Sequence, residues 1–178
     1  MILKLGDKND KILRQAAKQP DCKQMQSEQI AKVKEKMQKA LEKEKFGVAI
    51  AAPQVAEPYA IFLVAGHSFA HQKNEDFDPQ KHKAQFFFNP KIVKKSKKIV
   101  DSDEGCLSVP FKYSYNVPRY EKVSIEYLDE NCNKKIYNAS GFLARVFQHE
   151  IDHLYGTLYI DKAKEVIDVD ENLKPVKK

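Results

Sequence analysis

The chain has 178 residues, 31 of them Lys or Arg and 25 Asp or Glu, for a net charge of +6. Hydrophobic residues make up 42% and aromatics 10%, with no tryptophan and 6 glycines, which excludes disordered and collagen-like chains and supports one ordinary domain. No run of about 18 apolar residues occurs, so no membrane-spanning helix is expected, and the opening MILKLGDKND lacks the apolar core of a secretory signal. In chain order, residues 22 to 45 read as a long helix: Met25, Ile30, Val33, Met37 and Leu41 recur at helical spacing, and Asp21 is its cap. Its lysines are interleaved with acids, so it reads as a solvated face over an apolar stripe and not as a nucleic-acid reader. Tyr59 to Val64 reads as a buried strand. Residues 66 to 84 are polar and aperiodic and read as a long surface loop.

Phe86 to Phe88 predicts a strand ended by Asn89-Pro90, and Ile92-Val93 and Ile99-Val100 flank a lysine-rich hairpin tip at Lys94, Lys95, Lys97 and Lys98. Lys122 to Leu128 alternates cleanly as a strand, residues 129 to 133 form a turn, and Lys134 to Ala139 return. Ser140 to Tyr155 is the second long helix, stopped by Gly156. The charged tail from Lys162, with a short apolar patch at Val166 to Val169, reads as partly frayed. Helix, strands, helix is not an alternating βα order, so the class is α+β. Three cysteines, Cys22, Cys106 and Cys132, are an odd count that excludes a full disulfide framework and points to a reducing compartment.

Chemistry concentrates in Gln148-His149-Glu150-Ile151-Asp152-His153. Two histidines four apart share one helix face and can grip one ion, while Glu150 is placed to move a proton at the reacting water. A pair of surface histidines on an ordinary helix has the same pattern, and so has a zincin-like peptidase. The helix supplies two ligands and a catalytic site needs a third. Asp152 projects from another face and is better suited to orienting a histidine or bracing a basic group. Cys106, in Asp103-Glu104-Gly105-Cys106-Leu107-Ser108, is the better third ligand, although a lone cysteine is more often a small buried side chain. Gly47 to Gln54, GVAIAAPQ, is small enough for close backbone approach, and Gln54 carries an N–H that can donate to an oxyanion. The net +6 charge and the lysines at 94 to 98 leave a ribosome- or RNA-binding module as a third reading.

Together the three segments resemble the peptide deformylase family, whose motifs are G-x-G-hydrophobic-A-A-x-Q, E-G-C-x-S and Q-H-E-x-D-H. They stand here at Gly47–Gln54, Glu104–Ser108 and Gln148–His153, in that order, with Ala49 where the first motif has its second glycine. The resemblance implies antiparallel and mixed β-sheets packed around a central metal-binding HExxH helix. It covers residues 1 to 165 as a catalytic domain, with 166 to 178 left as a charged tail. It implies removal of the N-formyl group from the formylmethionine of new polypeptides, with release of formate, in the cytoplasm. Cys106, His149 and His153 would bind one Fe²⁺ per chain, a set that also accepts Zn²⁺, Ni²⁺ or Co²⁺. Glu150 would be the general acid and base, and Gln54 and the Leu107 N–H would hold the oxyanion. Gly47, Val48 and Ala49 would line the peptide backbone, Val48 and Val146 the methionine pocket, and Arg145 its mouth. Formylmethionyl nascent peptides are the implied partners, with the basic surface offered to the ribosome and no specific nucleic acid or membrane bound.

Overall fold

The computed structural model describes residues 1–8 and 10–176. A 3-10 turn at Asp10–Arg14 precedes two helices, α1 (Cys22–Met25) and α2 (Glu28–Leu41), where one was expected. The interruption comes from local caps. Asp21 accepts from the Gln24 N–H at 2.7 Å, and the Gln24 side chain accepts from the Asp21 N–H at 3.0 Å. Ser27 then starts a second helix by accepting from the Ile30 N–H at 3.3 Å. Two start signals six residues apart divide one periodic run.

The strands follow as β1 (Ala49–Ala51), β2 (Ile61–Val64), β3 (Gln85–Lys95), β4 (Ile99–Cys106), β5 (Val109–Tyr120), β6 (Lys122–Leu128), β7 (Lys134–Ser140) and β8 (Ile167–Asp168). Helix α3 (Gly66–Lys73) lies between β2 and β3, and α4 (Gly141–Leu154) follows β7. Two sheets form, one ordered β1-β2-β3-β6-β7 and one ordered β4-β5-β8, and every strand pair is antiparallel. The α+β expectation holds.

Alternation along the strands builds a core on each face of the larger sheet. Phe62, Val64, Phe87 and Ile125 point toward α4, where they meet Leu143, Phe147 and Ile151. Ile61, Leu63, Phe86 and Phe88 point the other way, toward Ile30, Val33 and Met37 of α2. The register pairs Phe62 with Phe87, whose rings stack at 4.7 Å, and Phe147 closes over Phe87 at 5.1 Å. Helix α4 is therefore buried on most of its circumference, and the polar side chains on it need partners.

Several sequence expectations are corrected. Residues 66 to 73 are helical. Gly66 permits this start, because a Cβ there would lie 1.9 Å from the His82 carbonyl oxygen. Asn89-Pro90 does not end β3: Asn89 takes a left-handed φ of 49°, its amide donates to the Pro20 carbonyl at 2.8 Å, and a bulge carries the strand past the proline. The lysine-rich segment 96 to 98 is not a hairpin tip, since β3 and β4 belong to different sheets and the segment crosses between them. The tail is not frayed in its described part, since Ile167–Asp168 pair with β5 and Val169 is buried; its last two positions, 177 and 178, lie outside the described residues. Nor are all three cysteines free: Cys22 and Cys132, with Cα atoms 5.6 Å apart, form a disulfide, and only Cys106 remains a thiol. The odd count hid one pair. Gly156 does follow α4 with a left-handed φ of 71°, as the helix stop requires.

Candidate metal centre and active site

Strand β4 and helix α4 bring the donors together. Cys106 ends β4, and His149 and His153 stand one turn apart on α4. One ligand atom from each lies within 4.8 Å of the others. Cys106 Sγ is 3.3 Å from His153 Nε2. A cysteine sulfur and two imidazoles converging on one point are the donor set of a divalent transition-metal site.

The surrounding residues fix that geometry. His149 Nδ1 lies 2.8 Å from Glu104 Oε2, so its other nitrogen is left for an ion. Arg119 grips Glu104 through Nε to Oε1 at 2.6 Å and Nη2 to Oε2 at 2.8 Å, and its Nη1 donates to Asp152 at 2.6 Å. Lys162 adds a second cation on Asp152 at 2.7 Å. Asp152 is thus a brace for Arg119 and not a ligand. Burial pushes the Glu104 carboxyl up, but hydrogen bonds from Arg119 and His149 outweigh it and hold the pKa at about 2. Burial also disfavours charge on His149, yet Cys106 and Glu104 overcome it and raise that imidazole well above its usual range. His153 is pushed down, first by burial and then by His149 and Arg119. The two imidazoles are thus shifted in opposite directions.

Gln148 locks α4 onto β5: its side chain accepts from the Tyr120 N–H and donates to the Tyr120 carbonyl, both at 2.9 Å. Glu150 is buried beside His149, and its Oε2 has no hydrogen-bond partner among the described residues. Burial, reinforced by Glu104 and opposed by His149, lifts its pKa to about 7. A carboxyl poised there can take and return a proton near neutrality.

Gln54 follows β1 in a 3-10 turn. Its Oε1 accepts from the Ala51 N–H at 2.8 Å, which aims Nε2 toward Ser108 Oγ at 3.2 Å and Cys106 Sγ at 3.7 Å. Leu107 and Ser108 form the tight connection between β4 and β5, where Cys106 pairs with Val109. The N-terminal segment clips these two pieces together: Leu3 N–H donates to the Gln54 carbonyl at 2.7 Å and Leu5 N–H to the Ser108 carbonyl at 2.8 Å.

Gln54, Glu104, Cys106, Leu107, His149 and Glu150 open on one cavity of about 610 Å³. Gly47, Val48, Ala49, Arg145 and Val146 line it together with Gln54, Cys106, Leu107, His149 and Glu150. Ala49 is buried in β1, an edge strand. The Val48 carbonyl accepts from Ala65 N–H, so the alternating pattern leaves the Ala49 backbone groups on the free edge. A Cβ on Gly47 would crowd Leu41 Cδ1 at 2.8 Å and Glu44 Cβ at 3.0 Å, so the leucine side chain would have to shift. Arg145 lies 5.2 Å over the Phe142 ring and 3.4 Å from Ser102 Oγ.

Every sequence-predicted site residue therefore borders one cavity, except His153, which lies behind His149 and completes the ligand cluster. Sequence reading missed the Glu104–Arg119 pair. Its signal was an arginine in Val117-Pro118-Arg119 and a glutamate next to the cysteine motif, which only the β4–β5 register brings together.

The fold and the site define a mixed α+β protein with a Cys/His/His cluster formed between the end of β4 and helix α4. The sequence profile of the polypeptide deformylase family matches residues 1–168, and the chain belongs to that family. It is 41% identical over 119 residues to a peptide deformylase of Nostoc, a stretch that covers 66% of this chain and 63% of that one. The chain thus spans just under two thirds of that relative's length. It is 36% identical over 166 residues to a peptide deformylase of Flavobacterium psychrophilum, covering 91% of this chain and 82% of that one. Among solved structures, a class I type b peptide deformylase of Acinetobacter baumannii bound to Met-Ala-Ser superposes with a TM-score of 0.75. It is 29% identical and covers 91% of this chain and 96% of that one. The family is metal-dependent and removes N-formyl groups from nascent polypeptides. No helix among the described residues is long and apolar enough to cross a membrane.

Proposed function

We propose that this chain hydrolyses the formamide at the N-terminal formylmethionine of newly made polypeptides in the cytoplasm, with Fe²⁺ as its native metal. The observation that carries this reading is Glu150, a buried and unpartnered carboxyl beside three converging ligands on a cavity that also holds Gln54. Cys106, His149 and His153 are the ligands. A divalent cation held by them would supply Lewis-acid polarisation of the formyl oxygen and a lowered pKa for water. Glu150 accepts the proton of the water that attacks the formyl carbon. Gln54 Nε2 and the Leu107 N–H donate to the oxygen that gains charge as the carbon becomes tetrahedral. Glu150 then delivers its proton to the nitrogen as the C–N bond breaks, leaving formate and a free methionine amine. Gly47, Val48 and Ala49 offer the edge of β1 to the peptide backbone, which adds as a strand. Val48 and Val146 bound the methionine pocket, and Arg145 stands at its mouth.

The test is formate release from formyl-Met-Ala-Ser by anaerobic protein loaded with Fe²⁺ or Ni²⁺, beside Glu150→Gln. Release by the wild type, with metal retained and release lost by ~10²–10⁴-fold in Glu150→Gln, supports the assignment. Cleavage of internal bonds in casein would move the reading to a peptidase. Lys94, Lys95, Lys97 and Lys98 form a basic surface suited to the ribosome, near which the substrates emerge. Unchanged co-sedimentation with ribosomes after reversing these four charges would remove that dock.

A further inference from the structure

The cavity has a wall that neither the motifs nor the family match covers. The matched region ends at residue 168, and the chain continues as a hairpin. Its first arm is β8 on β5, with Lys112 opposite Asp168, and the Val169 N–H donates to the Phe111 carbonyl at 3.0 Å. Lys112 also forms an ion pair with Asp168, and Val169 is buried. The second arm returns through the Val169–Pro175 bridge and a Val176 N–H bond to Asp168 at 2.9 Å. Asp170 shapes the tip, its Oδ1 accepting from the N–H groups of Asn172 at 2.8 Å and Lys174 at 2.9 Å. The tip is therefore a built turn on the sheet that carries Cys106.

That tip borders the active-site cavity through Asp170, Glu171 and Leu173, beside Phe111. The Asp170 carboxylate is committed to its own turn. Glu171 forms no hydrogen bond or ion pair among the described residues, so its side chain is available to a visitor. Phe111 is 62% exposed and Leu173 40%, an apolar pair beside that acid. Glu44 and Asp103 add two more carboxylates to the lining, Lys112 is paired with Asp168, and Lys4 and Arg145 also border the cavity. At the hairpin tip itself the charged residues that border the cavity, Asp170 and Glu171, are both acidic.

We infer that the C-terminal hairpin, through Glu171, Phe111 and Leu173, selects the residues that follow the first methionine of the bound peptide and favours lysine or arginine over glutamate or aspartate there. A long cationic side chain lays its aliphatic stem on Phe111 and Leu173 and brings its head to Glu171. An acidic side chain meets repulsion at the same place. The inference rests on the deformylase reading for its substrate.

The test compares kcat/KM for formyl-Met-Ala peptides carrying lysine or glutamate at the third or the fourth residue, at low salt, against formyl-Met-Ala-Ser. The lysine peptides should lead by ~3- to 10-fold, and ~0.5 M salt should shrink the ratio. Glu171→Lys should invert it, whereas Glu28→Lys, a like reversal on α2 across the sheet from the cleft, should leave it unmoved. Leu173→Gly suits the left-handed φ of 61° and removes the apolar contact, so it should lower the lysine advantage. Equal rates for the two charges in the wild type, or a ratio that Glu171→Lys does not move, would overturn the assignment. Calorimetric binding of Met-Ala-Lys and Met-Ala-Glu reads the same preference without turnover. Failure to release formate from any peptide would therefore sink the deformylase reading alone.

Discussion

Glu104 accepts from His149 Nδ1 at 2.8 Å while Arg119 holds both of its oxygens. One carboxylate thus orients a ligand and neutralises a buried guanidinium, and losing it has two separable effects. Glu104→Gln should weaken metal retention ~10- to 100-fold, read by competition with a chelator. It should also destabilise the fold, though by less than the about 3–5 kcal/mol of a fully orphaned buried charge, because Arg119, only 2% exposed, keeps Asp152 as its remaining anion. Glu104→Gln with Arg119→Met should recover much of the stability and none of the metal affinity. Equal recovery of both would show that orientation of His149 is unimportant.

Gln54 Nε2 donates across the cavity from a turn fixed by the Ala51 N–H. If it stabilises charge formed only during the reaction, Gln54→Leu should lower kcat by ~10²–10³ and leave KM nearly unchanged. A rise in KM with kcat intact would instead make Gln54 a binding group.

The Cys22–Cys132 disulfide closes 110 residues of sequence separation, and Cys132 packs against the α2-side core, on the face of the larger sheet away from α4. Cys22→Ser, or reduction of the wild type, should lower stability by ~2–4 kcal/mol, measured by urea unfolding. Because the bond acts mainly on the unfolded chain, formate release per folded molecule should stay the same. Intact-mass measurement after thiol alkylation should find one reactive cysteine before reduction and three after.

Asp161 joins the chain's start to the segment after α4, accepting from Arg14 at 2.5 Å and from the Leu158 N–H at 2.8 Å. Partial burial opposes its charge, but Arg14 and that N–H outweigh it and hold its pKa below the ordinary value of 3.8. The sign follows from this depression: the folded state binds the proton less readily, so the contribution is full above pH 3.8 and declines as pH falls through the lower folded value. Thermal melts at pH 7 and pH 3 should show a smaller acid loss in Asp161→Asn than in the wild type. The difference should be small, since both partners of the pair are 38% exposed.

The ligand helix was legible because its motif is local: four-residue spacing places His149 and His153 together whatever surrounds them. Strand β6 was legible from alternation, β7 as its return after the turn at 129 to 133, and Gly156 from the need for a left-handed stop. Arg119 was not, because its meaning depends on β4 pairing with β5 so that Val100 faces it and Glu104 lies within reach. The division into two sheets was equally hidden, since the residues of β3 and β4 look like one hairpin until the crossing segment 96 to 98 is seen. Helix α3 escaped because it has almost no apolar stripe and depends on Gly66 fitting under His82.

The disulfide also gives the molecule a topology. With Cys22 and Cys132 joined, residues 22 to 132 become a covalent macrocycle that contains Gln54, Glu104 and Cys106. His149, Glu150 and His153 sit on the arm outside it. A cation shared by Cys106 and the two histidines would lace that arm to the ring, so the oxidised, loaded protein would be a two-loop object. Its arm would leave the ring only once the cation had let go of Cys106 or of the two histidines.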